Sequence, residues 1–185
     1  SAHLFSIQIV PSHARKLPTK YQFIIIKKTD LQRYDLILKD RKKGYETEVK
    51  SYIDDKNMYG LGVLHKETNK IVYSCWIKNS KLYDKALRMN IELKDDESYF
   101  TEANCASAYR GEGLHTYMIQ ERINFSHKLG KRRAYITIYG FNIPALAVGK
   151  HFNFKKVKSI IYYRPNSISS VLKNIFRKII SFGDR

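Results

Sequence analysis

Ala108-Tyr109-Arg110-Gly111-Glu112-Gly113-Leu114-His115 decides the reading of this chain. It joins a stretch of strand composition, Ser98 to Ser107, to a stretch of helical periodicity, Gly113 to Leu129. Within the latter, Leu114, Tyr117, Met118, Ile123 and Phe125 supply an apolar face. A turn that leads from a strand into a helix exposes unpaired backbone N–H groups at the positive end of the helix dipole. Gly111 and Gly113 let that backbone take positive φ and approach a ligand closely, and Arg110 adds a permanent cation. The arrangement suits a pyrophosphate. A strand-to-helix turn with two glycines is also simply a turn, and spacing alone leaves both readings open.

Downstream, Arg133 to Tyr139 reads as a second strand and Asn142 to Phe152 as a short helix. Val157 to Tyr163 reads as a strand that closes the sheet before Pro165. Strand, helix, strand, helix, strand is the order that builds layered α/β units. Upstream, Tyr21 to Ile26 is strand-like, and Thr29-Asp30 offer an N-cap to a helical region carrying Leu31, Tyr34 and Leu38. A second helical stretch follows Gly44 and runs through Val49 to Ile53. Met58 to His65 and Ile71 to Ile77 flank the turn residues Glu67-Thr68-Asn69, which predicts an antiparallel hairpin. The charged segment Lys78 to Glu97 reads as a helix or an extended loop, and residues 1–20 as an arm or an edge strand.

The length, 185 residues, is that of one domain, and 43% hydrophobic residues suffice for a sizeable core. Thirty-four Lys and Arg against 17 Asp and Glu give a net charge of +17, so the partner is expected to be an anion. Nucleic acid, an anionic membrane, an acidic carrier protein and a phosphorylated cofactor all answer to that potential. Cys75 and Cys105 sit in apolar or small-residue runs and read as small hydrophobes rather than a disulfide. The six histidines lack ligand spacing, so no metal is expected. No stretch approaches the roughly 20 apolar residues of a membrane span, and the first residues lack a signal-peptide pattern; a cytoplasmic protein is expected.

The loop residues from Ala108 to Leu114 resemble the acetyl-CoA loop of the GNAT superfamily of N-acetyltransferases, whose pattern is Gln/Arg-x-x-Gly-x-Gly/Ala. Arg110 and Gly113 match the first two fixed positions, and His115 stands where the family has Gly or Ala. A second match follows in order. Asn142-Ile143-Pro144-Ala145 through Phe152-Asn153-Phe154 resembles the family's Asn-x-x-Ala helix ending in Gly-Phe, with Asn153 replacing the Gly as a left-handed cap. The resemblance covers residues 98–163. It implies an α/β (α+β) fold, a mixed and mostly antiparallel sheet flanked by helices, and acetyl-CoA as cosubstrate for acyl transfer to a primary amine. It is fainter towards members linked to cell-surface polysaccharide assembly, which implies an amino sugar among small-molecule acceptors.

The resemblance also implies where the chemistry sits. The loop Arg110, Gly111, Glu112, Gly113, Leu114 and His115 is expected to hold the pyrophosphate. The strand before it is expected to splay from its neighbour, so that free N–H groups of Asn104, Cys105, Ala106 and Ser107 bind the pantetheine arm and the thioester carbonyl. Glu102 is the expected base, with Glu97 in reserve. The family's usual proton-donating Tyr aligns with Gly149, which has nothing to give, and Tyr139 is the substitute. Asn142 is expected to touch cofactor or substrate, or merely to cap its helix.

The tail carries Ile168, Val171, Leu172, Ile175, Phe176, Ile179 and Ile180 at helical steps among Lys173, Arg177 and Lys178. Residues 167–185 thus read as a basic amphipathic helix appended to a domain of residues 1–166. It either packs on the domain or lies on an anionic membrane surface. Two rival functions stand beside the enzyme: acyl transfer from an acidic carrier protein, and a nucleic-acid-binding module built on Lys131-Arg132-Arg133. No nucleic-acid-binding signature accompanies that run, which ranks this module second. The sequence is silent on oligomeric state.

Overall fold

The computed structural model describes residues 1–12 and 16–161. In chain order the elements begin with β1 (Ala2–Gln8), β2 (Tyr21–Ile26), α1 (Asp35–Lys39) and α2 (Tyr45–Asp54). Next come β3 (Met58–His65), β4 (Lys70–Lys78), β5 (Leu82–Asp84), β6 (Met89–Ile91) and β7 (Glu97–Cys105). The chain continues through α3 (Leu114–Lys128), β8 (Arg133–Tyr139), α4 (Ile143–His151) and β9 (Lys155–Ile160). Seven strands form one sheet in the order β2-β3-β4-β7-β8-β1-β9, and β5-β6 is a separate hairpin. Every pairing in the large sheet is antiparallel except β7 with β8.

Both faces of the sheet are covered. Helices α3 and α4 bury one face, where Tyr73, Phe100, Met118, Ile119, Ile136 and Phe154 share a core. On the other face α1 and α2 enclose Tyr34, Val49, Ile71 and Trp76, and the β5-β6 hairpin lays Leu87 and Ile91 over Leu4 and Tyr99. Backbone and ring meet closely at Gly60, where a Cβ would stand 2.7 Å from the Trp76 ring and 2.9 Å from Ile26. The hydrophobic effect of this two-sided burial is what holds the long sheet against its helices.

Several sequence expectations meet their structure here. The hairpin over Met58–His65 and Lys70–Lys78 and the strand Arg133–Tyr139 stand as read. The region after Thr29-Asp30 divides into a 3-10 turn, Lys28–Arg33, and the short α1; its N-cap is Lys27, whose N–H donates to the Asp30 carboxylate at 2.9 Å. The segment from Lys78 to Glu97 is neither helix nor plain loop, because its short β5 and β6 pair with each other and bury Leu87. The start of the chain is neither arm nor edge. β1 lies inside the sheet, antiparallel to both β8 and β9, and the alternation Ala2-His3-Leu4-Phe5-Ser6-Ile7 gives each face its own core. β9 ends at Ile160, and the tail helix expected over 167–185 lies outside the described residues.

Candidate active site in the splay between β7 and β8

Strands β7 and β8 pair only over Glu97–Phe100 with Arg133–Ile136, although they continue to Cys105 and Tyr139. Beyond Phe100 and Ile136 they separate and leave a wedge in the middle of the sheet. The cause lies on β7. Trp76 faces Thr101 and Ser74 faces Asn104, so Glu102 and Ala103 together oppose the single residue Cys75. This is a β-bulge, with Glu102 at φ 46, and a bulge bends its strand and sharpens the local twist. The expected splay is therefore present.

The loop that follows β7 presents an open helix terminus. Gly111 at φ 83 and Gly113 at φ 77 are left-handed, and a Cβ on either would meet nothing within 4 Å. Conformation, not crowding, requires glycine there, and the space before the backbone is free for a ligand. Gly113 caps α3 with no side-chain hydrogen bond, the first turn holds no acid, and the first helical hydrogen bond is Tyr117 N–H to Gly113 O. The amides of Leu114, His115 and Thr116 thus precede the helix's own bonding and point out with the dipole. Glu112 is drawn away from that terminus. Its carboxylate accepts from the Tyr21 hydroxyl at 2.7 Å and pairs with Lys20 at 2.7 Å, and these bonds hold its pKa below the usual carboxylate range. Burial pushes the Tyr21 phenol up to about 12, so it remains a donor.

His115 does not fill the loop. Its ring turns into the protein and shares a 2.6 Å hydrogen bond with the Tyr73 hydroxyl. Burial first, then the charge of Arg122, lowers its pKa to about 4, which keeps the imidazole neutral at neutral pH. Only its backbone faces the terminus. Arg110 is held back along the loop by donation from Nε to the Cys105 carbonyl at 3.4 Å.

The amides expected to be free over Asn104–Ser107 are fewer than the resemblance implies. Ala106 N–H donates to Val72 O at 2.9 Å, and Ser107 N–H donates to the Asp40 carboxylate at 2.6 Å. Antiparallel alternation then turns the Asn104 N–H towards its partner Ser74 on β4 and the Cys105 N–H away from β4, towards the wedge. The Asn104 side chain is committed as well, donating to the Tyr45 hydroxyl at 2.6 Å. The strand thus offers one backbone donor, at Cys105.

On the α1–α2 face of the wedge, Glu102 pairs with Arg41 at 3.1 Å, and the Arg41 guanidinium lies 4.7 Å from the centre of the Tyr45 ring. Across the wedge, Ala134, Ile136 and Ile138 of β8 point into the α3–α4 core, so Tyr135, Thr137 and Tyr139 project to the same face as Glu102. Tyr139, 42% exposed, is stacked on Phe141, 78% exposed, at 5.1 Å and 17°. Asn142 accepts from Ala145 N–H at 3.2 Å and so caps α4, while Asn153 ends it at φ 58, left-handed as expected. Gly149 faces inward against Ile138 and Phe154. Glu97, the reserve base, is buried at the paired end of β7 and binds the Tyr135 hydroxyl and the Lys94 amide.

Asp40, Arg41, Tyr45 and Phe141 are the wedge residues that sequence reading missed. Their faint signal is the charged connector Asp40-Arg41-Lys42-Lys43 between two helical stretches. The basic run Lys131-Arg132-Arg133 lies at the opposite end of the sheet and is tied to an acidic turn: Lys131 donates to Asp95 O, and the Arg132 and Arg133 amides to Asp96 O. A cavity of about 400 Å³ there is lined by Lys94, Asp96, Glu97, Arg132 and Arg133 among others, so both signs of charge meet in it. Among the described residues no group of three or more His, Cys, Asp or Glu could hold a metal, both cysteines are free thiols, and no helix is long and apolar enough to cross a membrane.

No protein-family model matches the sequence, and no curated protein is similar to it in sequence. Solved structures are similar in fold. A tandem GNAT protein from the clavulanic acid biosynthesis pathway superposes with a TM-score of 0.60 at 11% identity, over 84% of this chain and 50% of that one. This chain thus spans half the length of that protein. The aminoglycoside 6'-N-acetyltransferase AAC(6')-Ih from Acinetobacter baumannii gives 0.55 at 13% identity, over 80% of this chain and 99% of that one. AAC(6')-Iy, solved with the bisubstrate analogue CoA-S-monomethyl-acetylneamine, gives 0.61 at 10% identity, over 80% and 99%. With its splayed, mostly antiparallel seven-stranded sheet flanked by helices, the chain has the fold of the GNAT acetyltransferases.

Proposed function

We propose that the protein is an acetyl-CoA-dependent N-acetyltransferase acting on a primary amine of a small molecule. The observation that carries this reading is the uncapped N-terminus of α3, with its left-handed glycines and open space, set beside the wedge between β7 and β8. Exposed amides and the dipole there suit the pyrophosphate, and Arg110 lies within the same loop. The wedge suits the pantetheine arm, and the Cys105 N–H would donate to the thioester oxygen as charge develops on it. The similar solved structures include enzymes named for aminoglycoside acetylation. A small-molecule amine, with an amino sugar as one case, is therefore the acceptor class we favour.

In the proposed reaction the amine nitrogen forms a bond to the thioester carbon and the carbon–sulfur bond breaks. A primary ammonium with a pKa of about 10.4 must first lose a proton, and Glu102, standing on the bulge at the lip of the wedge, takes it directly or through water. Arg41 orients that carboxylate. Tyr139, whose ring is committed to the stack with Phe141, walls the wedge on the other side. Calorimetric titration with acetyl-CoA, followed by thiol release on adding a panel of amines, tests the reading. Saturable binding with amine-dependent thiol release is expected, and Glu102→Gln should cut turnover by about 10²-fold or more while leaving acetyl-CoA affinity unchanged. No binding by the wild-type protein refutes it.

A further inference from the structure

The α3–α4 core contains a charge that nothing among the described residues answers. Arg122 is 0% exposed, and none of its three guanidinium nitrogens has a hydrogen-bond partner there. Among the described residues no carboxylate pairs with it. Its compensation is the face of Phe100, 4.9 Å from the guanidinium carbon. A guanidinium cannot shed its proton, so this charge is permanent. One turn along α3, the Ser126 hydroxyl is likewise buried without a partner among the described residues.

These orphaned groups share one face of α3. Arg122 and Ser126 are four residues apart and lie on the helix face turned to the sheet, with Met118, Ile119 and Ile123. On the sheet, Ser98 stands two residues before Phe100 and so on the same face, and its register partner on β8 is Ala134. Both are 0% exposed. The Ser98 hydroxyl is satisfied, donating to the Asn79 side-chain oxygen at 2.7 Å, whereas the Ser126 hydroxyl is not. The thiol of Cys75, also fully buried, supplies no counter-charge: burial pushes its pKa up to about 11.

We infer that Arg122 and Ser126 bind a small monovalent anion of the size of chloride between α3 and the sheet. The guanidinium offers five N–H donors and the serine one O–H, and the anion balances the charge that Arg122 brings into an apolar interior. This site is separate from the loop before α3 and stands or falls without the proposed acetyl transfer.

The first test is crystallographic. Crystals of the full chain grown or soaked in sodium bromide should show an anomalous peak within about 3.5 Å of the Arg122 guanidinium and the Ser126 hydroxyl, the reach of a hydrogen bond to a large anion; density that refines as water there, with no anomalous signal, overturns the inference. The second test is thermodynamic. At fixed ionic strength, replacing gluconate by chloride should raise Tm by about 3–5 °C for each tenfold rise in chloride above its dissociation constant. Arg122→Met, which keeps the packing volume and removes the charge, should abolish that dependence. A chloride dependence that survives in the variant places the ion elsewhere and overturns the assignment. Should Arg122→Met fail to fold, Ser126→Ala removes one donor without disturbing the helix, and its chloride dependence should be shallower than that of the wild type; an unchanged dependence overturns the assignment equally.

Discussion

Replacing Gly113 by Glu probes the proposed donor site most directly. Gly113 sits at φ 77 at the start of α3, with nothing within 4 Å of the position a Cβ would take, so a larger side chain fits but is strained. That strain, about 1–2 kcal/mol, lowers folding stability and does not by itself touch binding. The binding loss comes from charge. A carboxylate about 5 Å from a pyrophosphate bearing two charges, at near-aqueous dielectric, costs about 0.8 kcal/mol for each, or about 1.7 kcal/mol together. Competition of the same carboxylate for the orphan amides of the first turn removes a charge-assisted hydrogen bond worth about 1.5 kcal/mol more. The sum, about 3 kcal/mol, corresponds to roughly 150-fold weaker binding. Calorimetric titration with acetyl-CoA and with free CoA should show the same loss for both ligands, because the pyrophosphate is common to them. Gly113→Ala carries the backbone strain without the charge, so it should lose similar stability and keep its affinity within a few-fold. Unchanged affinity in Gly113→Glu, or equal losses in both variants, refutes the pyrophosphate assignment.

Two further predictions concern the surroundings of the site. His115 ordinarily titrates near 6.5 and is lowered to about 4 in the folded protein, by burial and then by Arg122. The folded state therefore prefers the neutral ring, and the unfolded chain gains the proton first as pH falls; the associated stability is intact above about pH 6.5 and is lost towards pH 4, by about 3 kcal/mol at most. Urea unfolding between pH 7 and 4.5 should show this loss in the wild type and a shallower one in His115→Gln, and identical pH slopes would contradict the buried Tyr73–His115 pair as its source. Gly149→Ala should raise stability by about 0.5–1 kcal/mol through helix propensity, since its Cβ would meet Ile138 at 3.5 Å and Phe154 at 3.9 Å, ordinary contact distances. A destabilised variant in thermal unfolding would show that α4 packs more tightly than those distances allow.

What was legible in the sequence was local. The strand-loop-helix of β7 and α3, with paired glycines, and α4, with an Asn at each end, announce themselves within a dozen residues through turn and cap chemistry. The place of β1 could not be read that way. Its partners are β8 and β9, Ala2 pairing with Tyr139 and Ile160, and no short-range pattern encodes a contact across so much chain. The β5-β6 hairpin escaped because its strands are three residues each in a charged stretch, held by Leu82, Leu87 and Ile91. Glu102 was found as a residue type in a strand. Its positive φ and the bulge that aims it come from the register between β4 and β7, which only the folded sheet defines. The same holds for the amides: the sequence says that Ala106 and Ser107 end a strand, and only the fold brings Val72 and Asp40 to occupy their N–H groups.

In the proposed reaction the missing proton donor is a matter of energetics rather than of an unfound residue. Gly149 offers no group, and Tyr139 is held in its stack with Phe141. A thiol with a pKa of about 8.5 leaves as thiolate far more readily than an amine or alkoxide, so the carbon–sulfur bond can break without an acid. The attacking ammonium, near 10.4, has no such freedom, and in the proposed reaction the carboxylate of Glu102 serves that half. One base and no acid make a distinctive pH profile: kcat/KM should rise with pH as the acceptor ammonium loses its proton, with no descending limb between about 8 and 10, in place of the bell that an acid and a base give together. Tyr139→Phe should stay within about twofold of the wild type, because it keeps the ring that stacks on Phe141 and removes only the hydroxyl. A descending alkaline limb that Tyr139→Phe abolishes would make that hydroxyl the donor and overturn unassisted departure of the thiolate.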